Sequence, residues 1–83
     1  LYKFFIFKIT HIKEHYTKTK KELMAFIKLE DKEGREIECL AWPDFYKKQK
    51  DKLVLNEWYQ FQFDDAKDGK VFCGRKTKIK EVK

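Results

Sequence analysis

The stretch LMAFIKLEDKEGREIECLAWP, residues 23–43, carries the pattern that decides the fold. From Leu23 to Asp31 apolar and polar residues alternate, which is typical of a half-buried strand. Asp31-Lys32-Glu33-Gly34 has the composition of a tight turn, because a glycine adopts a positive φ without steric cost. A second alternating segment, Arg35 to Trp42, follows the turn, and Pro43 ends it. The stretch therefore predicts an antiparallel hairpin that is followed by a helix.

The register of these two strands divides their side chains into two faces. Ala25, Ile27 and Leu29 share the inward face with Ile37, Cys39 and Ala41, whereas Phe26, Lys28, Leu40 and Trp42 point the other way. Because a slip of one residue would invert every face, this assignment depends on the alternation holding through both strands.

Three further strands and one short helix surround the hairpin. The alternation of the first strand slips after Ile9, so we expect a β-bulge near Thr10 or His11. Pro43 favours the first turn of a helix, where Asp44 complements the helix dipole. The predicted elements outside the hairpin are a first strand over Lys3 to Glu14, a Lys-rich loop over His15 to Glu22, a helix inside Pro43 to Lys52, a fourth strand over Glu57 to Asp64, a turn over Asp65 to Gly69, and a fifth strand over Lys70 to Lys80.

The order strand, strand, strand, short helix, strand, strand is that of the oligonucleotide/oligosaccharide-binding (OB) fold. We therefore predict an all-β protein, a five-stranded OB-fold barrel with one short α-helix between strands 3 and 4. An SH3-like barrel is the competing architecture, but it would lack a helix after the third strand. The 83 residues are interpreted as a single domain, residues 1–83, excised from or part of a larger protein.

The charge balance favours an anionic partner. Lys and Arg number 20 against 14 Asp and Glu, which gives a formal net charge of +6, and 17% of the residues are aromatic. The longest apolar run, around Phe4 to Phe7, is too short to cross a bilayer, so no membrane partner is expected. Cys39 and Cys73 lack a CxxC spacing and are interpreted as reduced thiols, which favours a cytoplasmic location.

Catalysis and metal binding find no support in the residues. The chain has no Ser, no phosphate-binding Gly-rich loop and no nominated acid–base pair, so we expect a non-catalytic binding domain without cofactor or small-molecule substrate. Asp64, Asp68 and Gly69 resemble part of a calcium loop, but Arg75 stands where the closing Glu belongs. No Cys or carboxylate completes a zinc site with His11 and His15, so no metal is expected.

Residues 20–38, KKELMAFIKLEDKEGREIE, resemble the OB domain of bacterial DNA polymerase III alpha subunits, in which a "MAF-x-x-LED…G-x-IE" run forms strands 2 and 3. Trp42-Pro43-Asp44-Phe45-Tyr46 is similar to the "F-P-x-x-Y" at the start of that family's helix, with Trp42 in place of the usual Phe. The resemblance covers about residues 9–55, and the chain beyond Trp58 matches poorly. It implies contact with single-stranded DNA, as an accessory domain in replication or repair with replication proteins as possible partners.

Aromatic and basic residues converge on the surface that OB barrels use for oligonucleotides. Rings can stack on bases of any sequence, and lysines neutralise phosphates. The candidate nucleic-acid-binding residues are Tyr16, Lys18, Lys20 and Lys21 on the first loop, Phe26 and Lys28 on strand 2, Leu40 and Trp42 on strand 3, and Phe72, Lys76 and Lys78 on strand 5. Single-stranded DNA is the predicted partner; RNA or tRNA binding, and protein docking through the edge Tyr2 to Phe7, are the alternatives.

Overall fold

Seven strands, and not the predicted five, form one sheet in the computed structural model, which describes residues 5–82. The strands alternate with turns, and one short helix separates the third strand from the fourth. The elements in chain order are β1 (Phe5–Tyr16), β2 (Leu23–Glu30), β3 (Glu36–Ala41), α1 (Pro43–Gln49) with a 3₁₀ turn at Lys50–Lys52, β4 (Trp58–Gln62), β5 (Asp65–Lys67), β6 (Lys70–Cys73) and β7 (Lys78–Glu81).

The sheet curls into a half-barrel with the order β5-β6-β3-β2-β1-β4-β7. Strand β1 belongs to both halves of the sheet, since its first residues pair with β4 and the rest pair with β2. The register shifts between Ile9 and His11, which confirms the predicted bulge and lets β1 turn from one partner to the other. β3 and β6 run parallel, and the other pairs are antiparallel. The predicted all-β class is confirmed.

The β2–β3 hairpin forms as predicted. Gly34 has a φ of 82°, and its amide donates to the carbonyl of Asp31 at 3.1 Å. The Asp31 carboxylate accepts the amides of Glu33 and Arg35 and the Arg35 guanidinium, at 2.9, 2.9 and 2.7 Å. These bonds, with that from the Arg35 amide contributing most, lower the pKa of the Asp31 carboxyl below its ordinary value. The Asp31 side chain therefore stabilises the turn through hydrogen bonds to residues on its far side.

The prediction of a continuous fifth strand over Lys70 to Lys80 is wrong. A turn over Gly74–Thr77 divides it, so that β6 pairs with β3 and β7 pairs with β4. Asp64 holds this turn, since its carboxylate accepts the Thr77 hydroxyl and the Lys76 amide. Gly74 leaves room for this carboxylate, because an added Cβ would lie 2.7 Å from the Asp64 Oδ2 atom and would displace it.

Two predicted loop boundaries also differ from the structure. The turn expected over Asp65–Gly69 contains the short strand β5, and only Asp68 and Gly69, with φ values of 53° and 76°, make the reversal. The first loop begins after Tyr16, which is the last residue of β1. Thr17 closes this loop, because its amide donates to the Glu22 carbonyl at 2.9 Å and its hydroxyl accepts the Glu22 amide at 3.0 Å.

The core lies on the concave side of the sheet, as the alternation predicts. Its members are mostly β-branched or aromatic, and the removal of each large side chain from water contributes about 1.5–3 kcal/mol to the free energy of unfolding. The most completely buried large side chains are those of Phe61, Ile9, Ile27, Leu29, Cys39 and Cys73.

Helix α1 closes one end of the half-barrel. Its residues Phe45 and Tyr46 are buried against the core, and the Tyr46 hydroxyl donates to the Glu14 carboxylate of β1 at 2.7 Å. Burial and this hydrogen bond raise the pKa of Tyr46 to about 12. Within residues 5–82 no helix has the length and apolar character that spanning a membrane requires.

We expect Gly74→Ala to destabilise the protein by about 1–3 kcal/mol, because the new methyl group displaces the Asp64 carboxylate from the turn that it holds. Urea denaturation of the variant and the parent measures the loss. In an Asp64→Ala background the same substitution should cost much less, because the obstructing carboxylate is gone. Equal costs in both backgrounds would show that the Asp64 contact does not determine the requirement for glycine.

Alkaline pH should destabilise the parent more than a Tyr46→Phe variant. The pKa of Tyr46 is raised in the folded state, so its stabilising contribution is complete below pH 10, the ordinary value, and is lost as pH rises toward about 12. Urea midpoints of both proteins at intervals from pH 9 to pH 12 provide the measurement. Parallel profiles would contradict the assignment, since other titrating groups are common to both proteins.

Candidate nucleic-acid interface

One line of side chains crosses five strands on the convex side of the sheet. The register makes Lys13, Phe26, Leu40, Phe72 and Asp65 successive cross-strand neighbours on β1, β2, β3, β6 and β5. With strands about 4.8 Å apart, the line is about 19 Å long. Side chains that are far apart in the sequence thus form one surface at right angles to the strands.

Two further rings, those of His15 and Trp42, lie along one side of this line. The His15 ring centroid lies 5.8 Å from that of Phe26, and the Trp42 ring stacks on Phe72 with centroids 6.3 Å apart and planes inclined by 11°. Phe26 and Trp42 are 47% and 44% exposed, whereas Leu40 and Phe72 are half-buried. We call His15, Phe26, Leu40, Phe72 and Trp42 the aromatic stripe.

Trp42 is held in place by its backbone as well as its ring. Its amide donates to the Cys73 carbonyl at 2.8 Å, and its extended conformation starts α1 at Pro43. Nearby, the Arg75 Nε donates to the Asp44 carboxylate at 2.7 Å, and this hydrogen bond lowers the pKa of Asp44. The indole therefore has a structural role at the β3–α1 junction and still presents its exposed part to solvent.

Charge on the same convex face is mixed. Next to the stripe, His11, Lys28, Glu38, Lys70 and Lys67 form a second line of cross-strand neighbours, and Lys70 lies 3.7 Å from Glu38. On β1, β2, β3, β5 and β6 this side carries five lysines and four carboxylates, namely Lys8, Lys13, Lys28, Lys67 and Lys70 with Glu30, Glu36, Glu38 and Asp65. The face offers stacking surfaces with local cations, not a uniformly positive groove.

The structure brings five of the predicted site residues together, namely Phe26, Lys28, Leu40, Phe72 and Trp42. Lys18, Lys20 and Lys21 are exposed on the turn that follows β1, at the edge of the surface where His15 and Trp42 lie.

Three predicted site residues lie elsewhere. Tyr16 is 64% exposed, but its position in β1 is out of phase with His15, so it points away from the convex face. Lys76 lies in the turn that divides the predicted fifth strand, where its amide bonds to Asp64. Lys78 lies on β7 opposite Gln62, at the far end of the sheet.

Sequence reasoning missed Lys13 and His15 on β1 and Lys67 and Lys70 on the β5–β6 hairpin. The bulge in β1 was expected, and counting the alternation onward from it places His11, Lys13 and His15 on one face. Lys70 begins the predicted fifth strand, two residues before Phe72, so the alternation could have placed it on the same face. Lys67 carried no such signal, because β5 was predicted to be part of a turn.

Two thiols lie behind the stripe on the core side. The Sγ atoms of Cys39 and Cys73 are 3.3 Å apart, and both side chains are buried. The contact between them and their burial raise the pKa of the Cys73 thiol above its ordinary value. Within residues 5–82 no three His, Cys, Asp or Glu side chains are grouped to hold a metal ion.

Comparison with solved structures places the fold among known ones. A structure described as "Structural mimicry for functional antagonism" matches with a TM-score of 0.80 and 13% identity over 98% of this chain, and a murine DNA-binding protein bound with double-stranded DNA matches with a TM-score of 0.74 and 8% identity over 98%. The chain spans 39% and 43% of these two proteins. At these identities the likeness shows the fold alone, and it is compatible with an OB-like architecture.

No protein-family model and no curated protein matches this chain. The comparisons provide no link to polymerase III alpha subunits, so that resemblance stays a prediction.

Proposed function

We propose that this chain is a non-catalytic OB-fold domain that binds single-stranded nucleic acid along the aromatic stripe. The observation that carries the proposal is the alignment of exposed Phe26, half-buried Phe72 and stacked Trp42 across neighbouring strands, with lysines at both flanks. Exposed rings in a basic protein are the combination that sequence-tolerant single-strand binding requires.

Unpaired bases fit this surface better than a duplex does. A ring stacks only on a base whose face is free, and in a duplex those faces are covered by the neighbouring base pairs. Single-stranded DNA is our first choice because the resemblance to polymerase III alpha subunits implies it. That resemblance also makes replication or repair the proposed setting, with replication proteins as neighbours and the cytoplasm as the compartment in which the two thiols stay reduced. Binding of RNA or tRNA would use the same stripe.

Duplex DNA is the first competing ligand. One structural neighbour is described as bound with double-stranded DNA, and this supports nucleic acid as the general class of partner. A duplex would meet the lysines of this chain without engaging the rings. Removal of a ring therefore discriminates between the two ligands, because it weakens only the binding of single strands.

Protein docking is the second candidate, favoured by a groove at the opposite end of β1. Phe5, Ile6 and Phe7 line it together with the turn at Asp31–Arg35, and its volume is about 490 Å³. Phe5 is 47% exposed. Residues Tyr2 to Phe4 of the docking edge expected from the sequence lie outside the described residues. An apolar contact in this groove would respond weakly to salt, unlike binding to phosphates.

Phe26→Ala should weaken binding of a fluorescent oligo(dT) by about 1–3 kcal/mol. The salt slope, which is the slope of the logarithm of the binding constant against the logarithm of the salt concentration, should stay unchanged, because the loss of stacking releases no counterions. Fluorescence anisotropy over a range of salt concentrations measures both quantities. The matched control is Phe5→Ala, since Phe5 is equally exposed but lies at the far end of the molecule. A folded Phe26 variant that binds as tightly as the Phe5 variant would remove the stripe from the interface.

Replacing Lys18, Lys20 and Lys21 together by Ala should flatten the salt slope by up to about 2 units, at about 0.7 per phosphate contact of a single strand. Circular dichroism of the triple variant checks that the turn after β1 has not altered the fold. An unchanged slope would show that this turn does not touch phosphates.

A further inference from the structure

A second region of the convex side, away from the aromatic stripe, differs from the stripe in its charge. On the convex side of β7, β4 and the first half of β1, the register places Lys80 beside Gln60 and Ile6, Lys78 beside Gln62, and Trp58 beside Lys8. We call these seven residues the basic face. It contains three lysines, and its nearest carboxylate is that of Glu30, the cross-strand neighbour of Lys8 on β2, whereas around the stripe lysines and carboxylates are interleaved.

The lysines of the basic face differ in whether their charge is already paired. The Lys8 ammonium lies 3.7 Å from the Glu30 carboxylate and 5.7 Å from the centroid of the Trp58 ring, so its charge is already partnered. Lys78 and Lys80 are exposed, and among the described residues no carboxylate lies within ion-pair distance of either. They stand two residues apart on one strand, about 6.6 Å along it.

We propose that Lys78 and Lys80, with Gln60 and Gln62 beside them, form a second binding site, which takes the phosphodiester backbone of nucleic acid. The proposal goes beyond the stripe, since it assigns a separate surface on other strands. Ammonium groups bind phosphates through charge, and glutamine amides donate hydrogen bonds to phosphate oxygens. Lys78 thereby belongs to a different contact surface from the one that the sequence suggested.

The chemistry of the basic face favours a backbone over an acidic peptide. An extended peptide is usually held by backbone pairing at a strand edge and by apolar pockets. Here the cations and amides lie on the face of the sheet, and Ile6, the one aliphatic residue in the set, is only half exposed. A regular array of negative charges is the ligand that such a surface complements.

A site that contacts only the phosphodiester backbone is expected to bind both single-stranded and duplex DNA. The basic face contains one ring, Trp58, whose neighbour Lys8 lies over it, so base stacking contributes little there. Lys78 and Lys80 should therefore strengthen binding to single-stranded and duplex DNA alike, whereas the stripe should strengthen only the former.

The test is a Lys78→Gln/Lys80→Gln variant, measured by fluorescence anisotropy against oligo(dT) and against a duplex across a range of salt concentrations. The expected result is a salt slope that is shallower by about 1.4 units for the single strand and about 1.8 units for the duplex. The matched control is Lys47→Gln/Lys48→Gln, which removes the same charge from the exposed side of α1. Its slope should stay close to that of the parent.

Equal salt slopes for the two double variants would overturn the second site. They would show that the effect of Lys78→Gln/Lys80→Gln comes from the lower net charge of the protein and not from the loss of a local contact. A loss of binding to poly-glutamate, with DNA binding unchanged, would also overturn it and would indicate an acidic protein partner. The stripe is tested separately by Phe26→Ala. If Phe26→Ala is without effect while the Lys78/Lys80 slope flattens, the proposed function fails and the second site stands; the reverse result removes the second site alone.

Discussion

The hydrogen bonds of the Asp64 carboxylate hold the turn that keeps the aromatic stripe and the basic face apart on the convex side of the sheet. By accepting the Thr77 hydroxyl and the Lys76 amide, the carboxylate makes the chain turn immediately after β6. β6 therefore stays beside β3, and β7 crosses to β4 at the other end of the sheet. Without this turn, Lys78 would continue along the strand that carries Phe72. The turn that this side chain helps to hold thus separates the ring-bearing surface from the lysine-bearing surface.

The stripe shows how a small sheet assembles one continuous surface from residues with no common motif. Phe26, Leu40 and Phe72 come from three strands and meet because the β2–β3 hairpin and the parallel β3–β6 pair have matching registers. The core side of the same strands is filled, with Ile27, Cys39 and Val71 behind them. Because close-packed cores resist displacement, the rings project from a rigid support. Such a support lowers the entropy cost of holding a flexible strand.

Prediction from the sequence succeeded where local patterns decide the structure. Alternation placed Ala25, Ile27 and Leu29 inside, Gly34 marked the hairpin, and the phase slip after Ile9 marked the bulge. It failed where a long-range contact decides. The break at Gly74 depends on Asp64, ten residues earlier in the chain, and nothing in the alternation of residues 70–80 indicates it.

The same distinction applies to the candidate site. The residues on β2 and β3 were placed together correctly because both strands flank one tight turn, so their relative register follows from its length. Lys76 and Lys78 were misplaced because their positions depend on which strand each half of residues 70–80 pairs with. Tertiary contacts determine this pairing, and the local sequence pattern does not show them.

The short strand β5 affects how closely neighbouring molecules can approach each other without joining their sheets. It forms one edge of the sheet, is three residues long and fully exposed, and carries Asp65 and Lys67 at its ends. Short charged edges of this kind do not serve as templates for strands of another molecule. At high protein concentration this edge disfavours pairing between the sheets of neighbouring copies, so that molecules can lie side by side at β5 without joining their sheets into an aggregate.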